Sequence, residues 1–416
     1  MPSEEREECR FVFSDLHLGE GKDNHLEHFE EDQIFAAAIE TILKTYANRR
    51  KVLVLLGDTF DFLSVEYRGK VLAEPTEEAA LEKLKKIFAA HPLVVEAFQK
   101  FLADGKIKFF VGNHDLDLRW PSVQLAIKRK LAAIFTSAAY FAATERVEFA
   151  EEELKDGVFF IHGSNGEAVN ALPEEHFLTS HLWRPLPEPL LNIPYGNHLA
   201  ADLANRLARG SRWCKGNRWV NRLEPHWYIY AESIWKNQWF GLYAALAWLL
   251  MPLRHSFSRR WWVRKSASLW ALFRANFEAM ILTAINLLRG RDHTHYPIQL
   301  LKDNPTIEVI FIGHIHEFRY MKDKRGTIVY PGNWCTTYDV RFPIPVLKWK
   351  RWRFLERLIK FFWAMRRMFL SATRHLHEPK KRQVYSFGIC RFYADGQREI
   401  KLMRYNPEKN CVEELN

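Results

Sequence analysis

Five short clusters of Asp, Asn and His constrain this chain more than any other feature, because each stands directly behind an apolar, β-rich run. They are Ser14-Asp15-Leu16-His17-Leu18-Gly19, Gly57-Asp58-Thr59-Phe60-Asp61, Gly112-Asn113-His114-Asp115, His162-Gly163 and Gly313-His314-Ile315-His316. Runs such as Lys51–Leu56 are short and continuously apolar, the pattern of a strand buried on both faces. Ligand-type side chains at the ends of such strands can converge although some three hundred residues separate the first from the last. Oxygen and imidazole donors without thiolate suit hard or borderline divalent ions such as Mn, Fe, Zn or Mg. One cluster alone means little: a lone Gly-His-x-His is ordinarily a turn with a packed histidine, and a lone Gly-Asp a strand-end turn. Five in order, each behind a strand, point to one metal site.

The ordered set resembles the calcineurin-like metallophosphoesterase superfamily, whose pattern is D-x-H, G-D, G-N-H-D/E, H and G-H-x-H. The resemblance covers roughly residues 10–165 and 305–335. It implies an α/β fold, a two-sheet β-sandwich flanked by helices, here with a large helical insertion. It also implies two divalent metal ions, manganese foremost, with Fe, Zn or Mg as alternatives. Asp15, His17 and His316 would hold the first, Asn113, His162 and His314 the second, and Asp58 would bridge them. His114 matches the family's histidine that is not a ligand but contacts the substrate phosphate and protonates the leaving group. Asp115 would orient His114. Two cations suit this chemistry because they neutralise the phosphoryl oxygens and lower the pKa of water toward about 7 from about 15.7.

Length and charge set the frame. At 416 residues the chain can carry one catalytic domain with additions. Cys9, Cys214, Cys335, Cys390 and Cys411 are scattered without a C-x-x-C pair, which argues against a disulfide framework and suits a reducing compartment. The acidic start, Met1 to Glu8, has no basic or apolar segment of the secretory kind. A cytoplasmic location is expected, with peripheral attachment to the cytoplasmic face of the membrane as a further expectation. Residues 1–165 carry 21 basic against 29 acidic side chains, whereas the whole chain carries 60 against 50. The basic excess therefore sits after residue 165, which suggests a polyanionic partner.

The spacing predicts strands over residues 9–18, 51–56, 107–111, 158–161, 307–312 and 327–330, and a terminal hairpin around Asp395-Gly396. Residues 29–50 read as a helix and 76–104 as one or two helices. Five units follow: 1–169 as the first part of a catalytic core, 170–300 as a Trp/Arg-rich helical insertion or lid, 301–345 as core carrying Gly-His-Ile-His, 346–382 as a basic amphipathic helix, and 383–416 as the C-terminal core hairpin. The insertion opens on an extended, proline-rich linker with Pro173, Pro185, Pro187, Pro189 and Pro194. From Arg206 to Lys265 it carries 12 basic and 2 acidic residues interleaved with eight tryptophans. Its uncharged run of 17 residues between Lys236 and Arg254 falls short of the about 20 needed to span a bilayer. Wound as a helix, the later segment puts Phe354, Leu358, Phe361, Phe362, Met365 and Phe369 on one face and Arg353, Arg357, Lys360, Arg367 and Arg374 on the other. That is the pattern of an interfacial helix on an anionic membrane, the alternative being a surface helix packed on the domain with its arginines in water.

These features favour an enzyme that hydrolyses a phosphoester or pyrophosphate bond in a phosphorylated, lipid-linked substrate. The insertion also makes the chain similar to the UDP-2,3-diacylglucosamine pyrophosphohydrolases, with His114 standing where that group usually carries arginine. The alternative is a soluble-substrate phosphatase, nucleotide phosphodiesterase or nuclease of the same superfamily. Nucleic acid is the less favoured partner, since stacking needs aromatics and arginines on one face and here they separate. A non-catalytic scaffold would show lost ligands, and none is missing.

Overall fold

The computed structural model describes residues 7–71, 74–167, 170–181, 184–197, 200–201, 205, 223–224, 295–339 and 380–415. Apart from Leu223 and Glu224, the Trp/Arg-rich stretch lies outside the described residues, and so does the whole amphipathic segment of residues 346–375. In chain order the strands are β1 (Glu8–Phe13), β2 (Arg50–Leu55), β3 (Glu66–Tyr67), β4 (Lys70–Val71), β5 (Gly105–Phe110), β6 (Val147–Ala150), β7 (Glu152–Lys155), β8 (Val158–Ile161), β9 (Phe177–His181) and β10 (Arg184–Leu191). Then follow β11 (Leu223–Glu224), β12 (Val309–Ile312), β13 (Phe318–Asp323), β14 (Gly326–Pro331), β15 (Thr337–Asp339), β16 (Lys380–Arg382), β17 (Ser386–Phe392), β18 (Arg398–Asn406) and β19 (Cys411–Glu414). The helices are α1 (Asp32–Thr45), α2 (Glu77–Ala90), α3 (Pro92–Asp104), α4 (Pro121–Ala132), α5 (Ser137–Glu145), the one-turn α6 (Tyr195–Asn197) and α7 (His295–Asp303).

Two large sheets result. One has seven strands in the order β19-β18-β17-β1-β2-β5-β6, the other five in the order β13-β14-β12-β8-β7. Residue parity within a strand decides what each side chain meets. Phe11, Phe13, Leu53, Leu55, Ile107 and Phe109 point to the side covered by α1, α3 and α4. Their neighbours Val12, Val52, Val54 and Phe110 share a second apolar layer with Val158, Phe160, Val309, Phe311 and Val329 of the five-stranded sheet. Phe159, Ile161, Ile310, Ile312 and Ile328 face outward from that sheet and pack with Leu301 of α7. Both sheets are therefore covered on both faces, which is why their central strands read as unbroken apolar runs. The fold is mixed α/β.

Local signals explain several boundaries. Thr76 caps α2, its hydroxyl accepting from the Ala79 amide at 3.4 Å. His91 ends that helix and Pro92 starts α3, because proline cannot continue a helix but fits its first turn. The terminal hairpin forms as expected: β17 pairs antiparallel with β18, and β17 also pairs with β1. The proline-rich stretch departs from the linker reading. Pro185, Pro187 and Pro189 lie in β10, which pairs with β9 as a two-stranded ribbon whose register shifts between Pro185 and Leu190. A ribbon has free edges, so residues without an N–H are tolerated there. No helix among the described residues is long and apolar enough to cross a membrane.

Candidate metal centre

Every motif emerges at the carboxyl end of a parallel strand: β1, β2 and β5 in one sheet, β8 and β12 in the other. The loops are zipped by backbone bonds. The amides of Asp15, His17 and Leu18 donate to the carbonyls of Gly57, Asp58 and Thr59 at 3.2, 2.9 and 3.0 Å, and the Gly313 amide donates to His162 at 2.9 Å. Asp15, His17, Asp58, His314 and His316 all adopt left-handed backbone, with φ between 50° and 71°. Such conformations cost about 1–3 kcal/mol each and persist where surrounding structure imposes them, commonly at functional sites. Two glycines permit the close approach. Gly57 has φ +85°, and a β-carbon there would lie 2.5 Å from the His162 ring. A β-carbon on Gly112 would overlap Asp58 Oδ1 and lie 2.5 Å from the Asp58 amide nitrogen.

The side chains form two adjoining groups. In the first, His17 Nε2 and His316 Nε2 are 3.1 Å apart. Asp15 Oδ1 lies 3.9 Å from the former and 3.5 Å from the latter. Asp15 Oδ2 accepts from Ser14 Oγ at 2.6 Å and from the His314 amide at 3.0 Å. In the second group, Asp58 Oδ2 is 3.3 Å from His162 Nε2, while it is also 3.8 Å from His17 Nε2 of the first. Asn113 Oδ1 is 3.2 Å from His162 Nε2. His314 completes this group, with one ligand atom each of Asp58, His162 and His314 within 4.8 Å of one another. The expected ligands thus come together, and Asp58 faces both groups.

The donor set fits metal ions. Asp15 Oδ1 and His314 Nδ1 are buried without a hydrogen-bond partner, a costly state unless something else coordinates them. Second contacts fix the rings. His162 Nδ1 donates to the Leu56 carbonyl at 2.9 Å, which leaves Nε2 as the lone-pair donor. Glu167 Oε2 lies 3.2 Å from His314 Nε2, which leaves Nδ1 open. Burial, reinforced by His114, pushes the His17 pKa well below its ordinary value, so this ring is neutral. Burial would raise the Asp58 pKa, but His162 and His114 outweigh it and hold the carboxyl well below the usual range. Burial likewise opposes charge on His162, and Asp58 outweighs it, raising the pKa to about 10. A cation arriving here would displace that proton. These buried His and Asp groups could hold metal.

His114 stands apart from the candidate ligands. Its side chain is 23% exposed, whereas those of His17, Asp58 and His162 are 1–2% exposed. Its amide donates to Asp58 Oδ1 at 2.8 Å, and its Nδ1 lies 2.9 Å from Asp61 Oδ1. Burial opposes a charge on the ring, but Asp61 and Asp58 outweigh it and raise its pKa to about 9.

The expectation that Asp115 orients His114 is corrected by this geometry: the orienting carboxylate is Asp61. Asp115 is fully buried and turned back into the loops. Its Oδ1 accepts from the Gly112 amide at 2.6 Å, and its Oδ2 from the amides of Thr59 at 2.7 Å and Phe60 at 3.4 Å. Tight turns leave such amides without backbone partners, and this carboxylate satisfies one in its own loop and two in the loop after β2. Burial and the nearby Asp58 raise the Asp115 pKa to about 7. Asp61 is the second acid of Gly57-Asp58-Thr59-Phe60-Asp61. His28, which joins His17 and Asp61 in a further cluster, carries no motif. Glu167 and Asn197 also carry none. Asn197 is 2% exposed and donates from Nδ2 to the Asn113 carbonyl at 2.7 Å. Of the histidines after residue 170, His176 is exposed and 3.1 Å from Glu151, and His295 begins α7.

Compared with known proteins, the chain matches no family model and no curated sequence.

Proposed function

We propose that this protein is a metal-dependent phosphoesterase of the calcineurin-like type, hydrolysing a phosphoester or pyrophosphate bond with two divalent ions, manganese foremost. One observation carries the reading: Asp58 Oδ2 lies within reach of both His162 and His17, at 3.3 and 3.8 Å, as a carboxylate shared between two ions would. The two facing sheets with the motifs at their strand ends support the sandwich implied by the sequence. Ions held there would supply charge neutralisation at phosphorus and a nucleophile at neutral pH. The remaining work falls to the chain's own residues. Asp61 holds His114 through Nδ1 and leaves Nε2–H as the free donor. The partly exposed imidazolium then faces substrate, stabilises phosphate charge and gives its proton to the leaving oxygen. Such acid assistance is worth on the order of 100- to 10,000-fold.

For the substrate we propose a lipid-linked phosphate or pyrophosphate at an anionic membrane surface. The support is the sequence pattern of the Trp/Arg-rich insertion and the basic amphipathic segment. A second reading, a soluble phosphomonoester or phosphodiester, is favoured by one residue, His114 in place of the arginine usual in the lipid pyrophosphohydrolases.

The test is a metal-reconstituted screen of p-nitrophenyl esters, cyclic nucleotides, single-stranded DNA and lipid pyrophosphates. Chelator-sensitive turnover, fastest on the lipid, is expected. Fastest turnover on a soluble ester would select the second reading. Protein that carries both metals and hydrolyses none of the four would overturn the enzymatic reading.

A further inference from the structure

Among the described residues, the insertion hydrogen-bonds to the candidate metal motifs at one buried point. Asn197, in the one-turn helix α6, donates from Nδ2 to the backbone carbonyl of Asn113 at 2.7 Å. Its own amide donates to the Pro194 carbonyl at 3.2 Å, which closes the turn presenting it. Its Oδ1 is buried with no hydrogen-bond partner. A surface anchor would not bear that cost of about 1–3 kcal/mol, so the side chain is held there by its surroundings. Asn113 in turn presents Oδ1 toward His162 Nε2 at 3.2 Å. The Asn113 peptide is thus gripped from outside while its side chain faces the candidate site. A second tie lies close in sequence: Asn205 Nδ2 donates to the carbonyl of Leu63, which is not a candidate ligand, at 3.0 Å.

We propose that Asn197 is a positioning residue for the metal position formed by Asn113, His162 and His314, so that occupancy of this position depends on the seating of the insertion. The inference rests on the two-metal reading above. Asn113 is the only amide among the ligands. An amide oxygen is a weaker donor than a carboxylate or imidazole, so it binds well only when held in place. Residues gripping a ligand from behind typically contribute 10- to 100-fold in metal affinity. Among the candidate ligands, the hydrogen bond shown for the Asn197 side chain is the one to the Asn113 backbone, so its loss should leave Asp15, His17 and His316 unaffected.

The experiment is equilibrium dialysis of the full chain against graded Mn(II), read by elemental analysis, with the visible absorption of the Co(II)-loaded protein as a signature of each position. Asn197→Ala should keep the first ion at unchanged affinity and bind the second about 10- to 100-fold more weakly. Its Co(II) spectrum should change only for the second equivalent. Asn197→Asp has the same volume but puts an acceptor against the carbonyl, so it should weaken the second ion at least as much. It also serves if the alanine variant fails to fold. Asn205→Ala loosens the insertion at a neighbouring point and should alter neither affinity. If the unaltered protein takes up no second ion, the metal reading itself falls. If it does, and Asn197→Ala and Asn197→Asp retain both affinities, or Asn205→Ala matches their loss, the positioning role is refuted.

Discussion

His91 should make the stability of the loop behind the Asp15–His17 motif depend on pH, in a direction and size that follow from its ion pairs. The residue sits between α2 and α3 with its side chain only 2% exposed. Nδ1 is 3.0 Å from Asp32 Oδ1, and Nε2 is 3.4 Å from Glu27 Oε2 in an ion pair. Glu27 is fully buried and also accepts from the amides of Gly19 at 3.2 Å, Gly21 at 2.6 Å and Phe29 at 2.9 Å. It thereby staples the loop that brings His28 beside His17 and Asp61. Burial opposes charge on His91, but Asp32 and Glu27 outweigh it and raise its pKa to about 9 from an ordinary 6.5. The folded state therefore holds this proton more tightly than the unfolded chain. The resulting stabilisation is complete below about pH 6.5, declines above it, and is gone once pH passes about 9. A tenfold difference in proton affinity between the two states is worth about 1.4 kcal/mol, so the ceiling is about 3 kcal/mol.

The assay is urea unfolding of the wild type and His91→Gln at pH 6 and pH 9.5. The wild type should lose about 2–3 kcal/mol more than the variant over that interval. Amide exchange at Gly21 and Phe29 should accelerate at high pH beyond its intrinsic dependence. Parallel stability curves for the two proteins would show that His91 is uncharged in the fold and refute the reasoning.

Other outcomes follow from the site. Asp58→Asn should leave fewer than two ions per chain by elemental analysis, since it removes the one carboxylate facing both groups; two ions retained would exclude a bridging role. His114→Ala should keep the metals and slow alkyl esters by about 100- to 10,000-fold, and p-nitrophenyl esters less because their leaving group needs little protonation. Asp61→Asn should act in the same direction by about 10- to 100-fold, whereas equal losses on both ester types would count against the acid role. Gly112→Ala drives a methyl into Asp58, backbone nitrogen included, so it should lower stability by about 1–3 kcal/mol and lose metal together, seen by melting temperature and elemental analysis. Anionic vesicles at low salt should sediment the protein, each of Arg353, Arg357, Lys360, Arg367 and Arg374 adding about 1 kcal/mol. Phe361→Glu with Phe362→Glu should release it, and wild-type protein left in the supernatant would remove that support for a lipid substrate.

The amino-acid sequence by itself determined the central strands, their order of polar endings and most of the side chains that gather at the candidate metal site. This was possible because burial on both faces imposes an unbroken apolar run, and because a strand's end lies next to its own sequence. The turn at Asp395-Gly396 was legible because glycine acts on the backbone where it stands, whereas residues 76–104 read as one or two helices and the boundary at His91-Pro92 came from the structure. Only the tertiary structure decided which carboxylate meets which histidine. Asp115 is adjacent to His114 in sequence, yet its oxygens are drawn to the amides of Gly112, Thr59 and Phe60, while Asp61, some fifty residues earlier, reaches the ring. His28, Glu167 and Asn197 stand in unremarkable stretches, and their roles arise from loops that meet across the strand ends. A hydrogen bond depends on the approach of two atoms in space, and no local periodicity encodes that approach. The prolines of β10 make the same point, for they suggested an extended linker until a partner strand was present to pair with.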